Sequence, residues 1–297
     1  MFLFRSRKGR LFRAVRDRNL DEVAKCLRNG ADVNATDAEG WTPLLHAVAK
    51  EFKDVAELLV AKGADVNTKG KLDLTPLAST CNTGNEDIAR FLVANGADVD
   101  ARCEGGLTLL HLAVIRGHKK MVDLLIANGA DVNAGDNDGV TPLYSAVHDG
   151  HKEMAELLIH RGSDVNAKTN EELTPLAAAC IVGNSDIARL LIANGAEMNG
   201  RFQGSLTLLV IAAYHGFRDV ADVLIANGAD VDAKVEGGLT ALAMAAYQGH
   251  KDVAELLISK GANVNAVDKE GHTPLYGAIK KQHPDLAEFL RKNGAKF

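Results

Sequence analysis

The residues of this chain that could do chemistry are few, and the first of them are three histidines in a repeated setting. His118, His151 and His250 each follow a glycine and precede a lysine, and His148 stands three residues before His151, a separation that metal ligands can have. A zinc site needs three or four converging donors and an outer layer of hydrogen bonds, and neither an HExxH motif nor a cysteine pair accompanies these histidines. We therefore interpret them as turn residues that precede a helix, and we predict no metal site.

The four cysteines and the known catalytic motifs add no further chemistry. Cys26, Cys81, Cys103 and Cys180 lie far apart without a Cys-x-x-Cys pair, which favours free thiols in a reducing compartment, with Cys81 and Cys180 as small core residues. The sequence also lacks a glycine-rich phosphate loop ending in Lys-Ser/Thr, a GxSxG motif and a Cys-His pair at a recognisable spacing. We predict no catalytic residue and no cofactor, although a site assembled in space escapes a linear search.

Composition and charge narrow the classes of function. The chain has 297 residues, 46% hydrophobic and 25% charged, which is typical of a folded, soluble protein. A net charge of -5 and a pI near 6.1 argue against a nucleic-acid binder, whose usual mark is a basic face. No apolar run reaches the roughly 18 residues that a membrane span requires, so we expect no integral membrane segment. The opening MFLFRSRKGR places its basic residues after its apolar ones, the reverse of a secretory signal, so we expect a cytoplasmic protein.

A fixed period of 33 residues organises the chain and must position whatever site it has. Glycines from Gly30 to Gly294 and threonines from Thr42 to Thr273 recur every 33 residues without an insertion. In the unit at 136–168, Thr141-Pro142 predicts a helix start, and Gly150 is suited to a left-handed helix end before a second apolar helix. Helices this short do not persist alone in water, so each unit must pack on its neighbours.

The repeated units closely resemble ankyrin repeats. The resemblance rests on GADVNATDAEGWTPLLHAVA and GADVNAGDNDGVTPLYSAVHDGH, followed by second helices of the type AELLI. Only LTLLHLAV at 107–114 has the histidine of the family in its usual place. The resemblance covers about residues 11–297 and implies an all-α fold, an ankyrin-repeat solenoid of stacked helix-turn-helix pairs with β-turn fingers and a concave face.

The repeat also predicts its own ends and its local packing. We expect nine repeats in a single domain at 11–297, with the first and last as caps that have polar outer faces, after a basic and aromatic N-terminal extension at 1–10. Asn-Gly pairs that follow apolar helical runs predict helix C-caps rather than hairpins. One phase is almost always alanine, which predicts a close approach of the first helices; its members are Ala14, Ala47, Ala113, Ala146, Ala179, Ala212, Ala245 and Ala278, with Thr80 as the exception.

The ends of the first helices, together with the fingers, form the candidate binding surface. A contiguous apolar patch with a polar rim marks an interaction site, and Tyr and Trp are favoured hot-spot residues. The predicted partner-binding residues are Trp41, Ile115, Arg116, Ile181, Val182, Arg201, Phe202, Tyr214, His215, Lys234, Val235, Tyr247 and Gln248, with the main cluster from Ile181 to Tyr247. The alternative is that some of these side chains lie between adjacent first helices and only seal the stack.

The fingers carry two further patterns. Basic residues at one phase (Lys69, Arg102, Lys168, Arg201, Lys234) predict a positive column, but neighbouring acidic residues favour a mixed, solvated surface. Where three fingers have an aspartate before the turn, five have Gly70, Cys103, Thr169, Phe202 or Val235, and we expect these fingers to lose the turn acceptor and to expose another group.

The favoured function is a non-catalytic protein-recognition module, an adaptor, scaffold or inhibitor that binds another protein or a peptide on its concave face as a monomer. This follows from the resemblance, because ankyrin proteins mostly bind proteins, and from the low entropic cost of binding to a rigid surface. Two alternatives stay open. One is a structural role in which the N-terminal segment docks on a membrane surface or a larger complex. The other is an enzyme or small-molecule binder, which requires a deep pocket with converging polar groups.

Overall fold

The computed structural model of the chain describes residues 7–198 and 206–296, and this part contains eighteen α-helices and no sheet. Short 3-10 turns lie in three of the fingers that join the helix pairs. The helices are α1 (Arg7–Arg16), α2 (Leu20–Arg28), α3 (Pro43–Ala49), α4 (Lys53–Ala61), α5 (Pro76–Thr83), α6 (Glu86–Ala94), α7 (Leu109–Ile115), α8 (Lys119–Ala127), α9 (Pro142–His148), α10 (Lys152–His160), α11 (Pro175–Val182), α12 (Ser185–Ala193), α13 (Leu208–His215), α14 (Arg218–Ala226), α15 (Ala241–Gln248), α16 (Lys251–Ser259), α17 (Pro274–Lys280) and α18 (Pro284–Lys292).

The helices belong to two compact units, unit 1 at residues 1–145 and unit 2 at residues 146–297, and the division falls inside α9. In unit 1 the first helices of the pairs, α1, α3, α5 and α7, pack in one row, and the second helices α2, α4, α6 and α8 form another. Unit 2 repeats this arrangement with α11, α13, α15 and α17 in one row and α10, α12, α14 and α16 in the other, and α18 packs against α17. Each unit is a two-layered stack of helix pairs, which confirms the predicted all-α solenoid class.

Threonine hydroxyls start the first helices, as the sequence predicts. In α3 the hydroxyl of Thr42 accepts from the backbone N–H of Leu45, and Pro43 occupies the first turn, where its missing N–H costs nothing. The hydroxyls of the other seven threonines of the series also accept a hydrogen bond from the backbone N–H of the residue three positions later. These threonines are Thr75, Thr108, Thr141, Thr174, Thr207, Thr240 and Thr273. The start of every first helix from α3 onward is therefore set by one side chain.

The second helices end in the predicted Asn-Gly caps. Asn95 is the C-cap of α6, and Gly96 follows it with φ +87°, a left-handed conformation that glycine adopts without a steric penalty. Asn128, Asn194 and Asn227 cap α8, α12 and α14 in the same way. The prediction of C-caps rather than hairpins is confirmed.

The alanine phase lies in the buried core of the stack. All eight alanines of this phase are buried, and seven of them have no exposed surface. At the exceptional position, Thr80 is also fully buried, and its hydroxyl donates to the backbone oxygen of Leu77 at 2.6 Å. A small side chain is thus required here, and a hydroxyl is tolerated because it has a partner in its own helix.

Asparagines in the polar segments connect each repeat to the next. The side-chain amide of Asn67 donates to the backbone oxygen of Gly96 at 3.0 Å, and its oxygen accepts from the N–H of Asp98 at 2.8 Å. Asn34, Asn166 and Asn265 make the same pair of bonds. At two junctions the residue is aspartate, and Asp100 and Asp232 keep only the accepting bond, at 3.4 and 2.9 Å.

The predicted N-terminal extension overlaps the first helix. Helix α1 begins at Arg7, so residues 7–10 belong to it, and residues 1–6 lie outside the described part of the chain. The boundary between extension and repeat domain at residue 11 stays a prediction.

Candidate functional site

Two neighbouring apolar grooves lie along the first helices of unit 2. The first groove, of about 390 Å³, is lined by Leu173, Ile181, Leu206, Val210, Ile211, Tyr214, His215 and Met244. The second groove, of about 380 Å³, is lined by Tyr214, Leu239, Ala243, Met244, Tyr247, Asp268, Glu270, His272, Thr273, Tyr276, Gly277 and Lys280. Tyr214 and Met244 line both, so we treat the two as one paired groove.

The 33-residue period places the lining residues together. Most of the lining residues stand one position before the capping threonine or three, four and seven positions after it, and these positions recur on one side of each first helix. Ile181, Tyr214 and Tyr247 all stand seven positions after their threonines. Tyr214 is 47% exposed and Tyr247 is 39% exposed, so large aromatic surfaces face the solvent beside an apolar floor.

The second groove has charge at both of its ends. At the finger end, Asp268 and Glu270 each place a carboxylate oxygen 3.3 Å from Nδ1 of His272, whose ring stacks on Tyr276 with centroids 4.0 Å apart. At the other end, the ammonium group of Lys280 lies 5.3 Å from the ring centroid of Tyr276. An apolar surface with a polar rim suits a peptide segment better than a small apolar ligand.

Two titratable groups at this rim, the Asp268 carboxyl and the Tyr247 phenol, have a shifted pKa. Burial raises the pKa of Asp268, but backbone hydrogen bonds from His272 and Glu270 and the charge of His272 outweigh it, so that the pKa lies below its usual range. The Lys281 ammonium, 4.4 Å from the Tyr247 ring centroid, lowers the pKa of the Tyr247 phenol.

Four of the predicted site residues line the paired groove: Ile181, Tyr214, His215 and Tyr247. Val182 is exposed and Gln248 half-buried, and each is next in sequence to a lining residue. Lys234 is exposed, but its ammonium donates to the backbone oxygen of Val267 at 2.9 Å in the following finger. Arg201 and Phe202 lie outside the described residues.

The expectation that Val235 is exposed is wrong. Its side chain is only 6% exposed, because the finger folds back on itself through backbone bonds from Val235 to Leu239 and from Gly238 to Val235. Thr169 also departs from the expectation for its finger, since its hydroxyl accepts from the N–H groups of Glu171 and Leu173 and so retains the turn acceptor. Asp37, Asp136 and Asp268 accept two such bonds in their fingers.

The predicted residues of unit 1 do not belong to the paired groove. Trp41 is half-buried and lies 5.3 Å from His46 between ring centroids, and His46 bonds Oδ2 of Asp37 through Nε2 at 2.7 Å. Ile115 is 40% exposed, and the guanidinium of the adjacent Arg116 donates to Oδ1 of Asn82 at 3.3 Å. Trp41 therefore contacts a side chain of its own repeat, whereas Arg116 reaches the preceding repeat.

The basic side chains of the fingers are engaged in contacts within the fingers where the structure describes them. Lys168 lies 2.7 Å from a carboxylate oxygen of Glu172, and Lys69 lies 4.0 Å from Asp73. Arg102 donates to the backbone oxygens of Gly106 and Gly135. The fingers therefore present a mixed, internally bonded surface, as the alternative in the sequence analysis predicts.

The repeated histidines have a structural role in the two units. The ring of His250 lies over Gly216 of the preceding repeat, and its Nε2 is 2.9 Å from the backbone oxygen of Tyr214. His118 and His283 make the same contact with Asn82 and Tyr247. Among the described residues no group of three or more His, Cys, Asp or Glu side chains could hold a metal ion.

The buried titratable groups belong to the packing of the repeats. Burial raises the pKa of the Cys81 and Cys180 thiols to about 12, which leaves them protonated and unreactive in the folded protein. His111, the histidine at the usual place in the family, bonds Thr108 through Nδ1 and the backbone oxygen of Val140 through Nε2, at 2.8 Å each. Burial lowers the pKa of His111, so this bridge forms with a neutral ring.

The residues that sequence reasoning missed are apolar and periodic. Leu173, Leu206 and Leu239 share the phase of Trp41, and Met244 and Tyr276 lie inside first helices that read as core. A search at every phase, rather than at the helix ends alone, finds these residues. The sequence does not show which of these side chains are exposed to solvent.

The chain belongs to the ankyrin-repeat family. A family profile described as ankyrin repeats (3 copies) matches residues 11–103, 100–169, 162–235 and 209–297. Ankyrin repeats are generally protein-protein interaction modules, and the family is typically non-catalytic. No curated protein matches the chain. Among the described helices, none combines the length and the apolar composition needed to cross a bilayer.

Proposed function

We propose that this protein is a non-catalytic recognition module that binds a peptide segment of another protein in the paired groove of unit 2. The observation that carries the proposal is the pair of exposed tyrosines, Tyr214 and Tyr247, beside two apolar grooves that share Tyr214 and Met244. Tyrosine is one of the residue types enriched among binding hot spots, and a rigid helical scaffold loses little conformational entropy on binding.

The chemistry of the lining describes the segment that fits. Two or more apolar side chains of the partner would occupy the grooves on the two sides of Tyr214 and Met244. A cationic group would approach Asp268 and Glu270 at the finger end, and an anionic group would approach Lys280. The groups at the rim supply orientation, because rim charges contribute more to selectivity and association rate than to affinity.

The proposal extends to the organisation of the chain. We propose nine repeats in a single domain after a short N-terminal extension, with terminal repeats as caps, acting as a cytoplasmic monomer in an adaptor, scaffold or inhibitor role. A single calorimetric transition and a monomer mass in sedimentation support this organisation; two separated transitions contradict it.

The binding site is tested with a displayed peptide library. Peptides are selected on the wild-type protein and counter-selected on a variant that carries Ile181→Ala, Tyr214→Ala and Tyr247→Ala. We expect enriched peptides with spaced apolar residues, and a loss of affinity for the variant of about 30-fold or more, since truncating one hot spot costs about 2 kcal/mol.

The stability of the same variant shows whether the three substituted side chains bind a partner or only pack between adjacent first helices. The three side chains are partly exposed, so we expect the melting temperature to fall by only a few degrees, about 2–4 °C per kcal/mol for a chain of this size. If the variant unfolds while the selected peptides bind elsewhere, these residues seal the stack and the proposal is wrong. The helical circular dichroism of the variant is the control.

A further inference from the structure

Three side chains of the paired groove recur at the same point of successive repeats. Ile181 on α11, Tyr214 on α13 and Tyr247 on α15 each stand seven positions after a capping threonine. Helix α11 packs against α13, and α13 packs against α15. Because packed helices lie about 8–10 Å apart, a ligand that crosses the first helices meets one of these side chains at about that interval. The repeat therefore sets the spacing of the apolar side chains that the ligand must present.

Two side chains stand between the two grooves. Tyr214 and Met244 line both of them, Tyr214 is 47% exposed and Met244 is half-buried. A ligand that fills both grooves passes over these two residues. It must do so without a side chain of its own directed at them, since the space there is already taken.

Among the regular conformations of a peptide, polyproline II meets both conditions. It rises about 3.1 Å per residue with three residues per turn, so residues i and i+3 share one face about 9 Å apart and the two between them point away. Side chains on one face of an extended strand are about 7 Å apart, which is too close. An α-helix spans about 10 Å only from i to i+7, and it directs i+3 and i+4 at the residues between the grooves.

The lining of the first groove fits this conformation as well. Seven of its eight residues are apolar or aromatic, and His215 is the eighth. A polyproline II backbone has no internal hydrogen bonds and stays hydrated, and proline-rich segments dock in aromatic-lined grooves. Strand addition, the other mode for an extended peptide, needs a sheet edge, and the described part of the chain has no sheet.

A carboxylate at the rim adds a charge requirement. Glu270 lines the second groove, and its side chain is 79% exposed. Its carboxylate lies 3.3 Å from Nδ1 of His272 and faces the solvent at the finger end. A basic residue that flanks the apolar anchors of the ligand complements this charge.

We propose, on the basis of the proposed function, that the ligand of the paired groove is a proline-rich segment in the polyproline II conformation. Its apolar anchors stand at i and i+3, and a basic residue flanks them. The match between the repeat spacing and the three-residue turn of this conformation carries the proposal.

Three displayed peptide libraries test the spacing of the anchors. Each library has two anchor positions fixed as leucine or proline, the second at i+3, i+4 or i+7, and random residues elsewhere. All three are selected on the wild-type protein. We expect the i+3 library to yield the tightest peptides, with proline enriched at positions outside the anchors, because a preformed conformation loses less entropy on binding.

Substitutions in the selected peptides test the conformation. Fluorescence anisotropy measures the affinity of each synthetic peptide and of a form in which two prolines outside the anchors are replaced by alanine. We expect the alanine form to bind about tenfold more weakly, since it is less ordered before binding. These substitutions leave the protein unchanged, so the result does not depend on how a variant folds.

A matched pair of protein variants tests the basic flank. Glu270→Gln is expected to weaken binding of a selected peptide with a flanking lysine about threefold to fivefold, and to leave the same peptide with alanine at that place unchanged. Asp138→Asn makes the same change of charge at the corresponding exposed position of another finger, outside the paired groove, and is expected to affect neither peptide. Equal losses in the two variants would rule out the basic flank.

The outcomes separate this proposal from the proposed function. Binding in the groove is recognised by its loss in the variant Tyr214→Ala, Tyr247→Ala. Peptides that bind there but come mainly from the i+4 or i+7 library, or that keep their affinity without the prolines, overturn the polyproline II ligand and leave the proposed function standing. Peptides that bind this variant as tightly as the wild type, or the absence of any binding peptide, overturn both.

Discussion

The two units use one repeat for different surfaces. In unit 1 the position seven residues after the capping threonine holds Ala49, Asn82 and Ile115, none of which lines the paired groove, and Asn82 accepts a hydrogen bond from Arg116 of the next repeat. In unit 2 the same position holds Ile181, Tyr214 and Tyr247, which line the paired groove. The bonds that build the stack are the same in both units, so the difference lies in a few positions that the scaffold leaves unconstrained. A repeat protein can therefore change its binding surface without a change of fold.

Substitutions of glycine by alanine have the largest expected effect on stability, and they test whether the helix pairs pack in the same way in both units. Gly84 and Gly183 have φ +77°, and a Cβ on either would lie 2.7 Å from the ring of His118 or Phe217. We expect Gly84→Ala and Gly183→Ala each to reduce the free energy of unfolding by about 2–3 kcal/mol, through backbone strain and crowding together. Urea unfolding measures this loss.

The controls for this experiment are Gly96→Ala and Gly195→Ala. These glycines have φ +87° and +88° with nothing within 4 Å of the added Cβ, so only the backbone strain of about 1 kcal/mol applies. If Gly84→Ala and Gly183→Ala differ from each other by more than this control value, the units do not share one packing scheme and the comparison fails.

A smaller, stabilising effect is expected at the two junctions that hold aspartate. Asp100→Asn in unit 1 and Asp232→Asn in unit 2 each introduce a side-chain amide. Asn67 uses the same group to donate to the backbone oxygen of Gly96. Each change is expected to raise the free energy of unfolding by about 0.5–1.5 kcal/mol, the net value of one hydrogen bond.

The reverse substitutions complete this test. Asn67→Asp and Asn265→Asp remove the donor to Gly96 and Gly294 and are expected to destabilise the protein by a similar amount. If neither set of substitutions changes the free energy of unfolding, the hydrogen bonds from these asparagines to the following repeats do not stabilise the stack.

The smallest expected effect is a dependence on pH. In Asp37, burial raises the pKa, but the hydrogen bond from His46 and the N–H groups of Trp41 and Glu39 outweigh it, and the pKa lies below its usual range. A lowered pKa in the folded state gives stability that is present above about pH 4 and is lost as the pH falls through the folded value. The difference in melting temperature between wild type and Asp37→Asn should therefore shrink toward acid pH.

The two units should differ in the size of this pH effect. Asp268 in unit 2 also has a lowered pKa, but its distance to His272 is 3.3 Å, against 2.7 Å between Asp37 and His46. We expect the Asp37→Asn difference to change more with pH than the Asp268→Asn difference. An equal or larger change at Asp268 would show that the histidine contact does not set the effect.

The sequence predicts the scaffold well because each of its parts is local and repeated. The threonine caps, the Asn-Gly ends and the buried alanines all follow from residue type and phase. The seal between repeats is harder to predict. The structure shows that His118 and His250 lie over glycines of the preceding repeats, a contact that depends on the relative placement of two helix pairs.

The candidate site is only half predictable. The sequence predicts Tyr214 and Tyr247 because both stand at the ends of first helices and tyrosine is a favoured hot-spot residue, whereas Met244 and Leu206 have the pattern of ordinary core residues. Val235 was misjudged because an apolar residue in a finger reads as exposed, yet the finger closes over it through its own backbone bonds. Exposure depends on how neighbouring repeats cover a position, and periodicity alone does not contain that information.

One measurement tests the central claim most directly: the affinity of a library-selected peptide for two matched variants. The unit 2 variant carries Tyr214→Ala and Tyr247→Ala, and the unit 1 variant carries Ile115→Ala and Arg116→Ala at the corresponding helix end. The account predicts a loss of about 30-fold or more for the unit 2 variant and less than about twofold for the unit 1 variant. Equal losses, or a greater loss for the unit 1 variant, would contradict it.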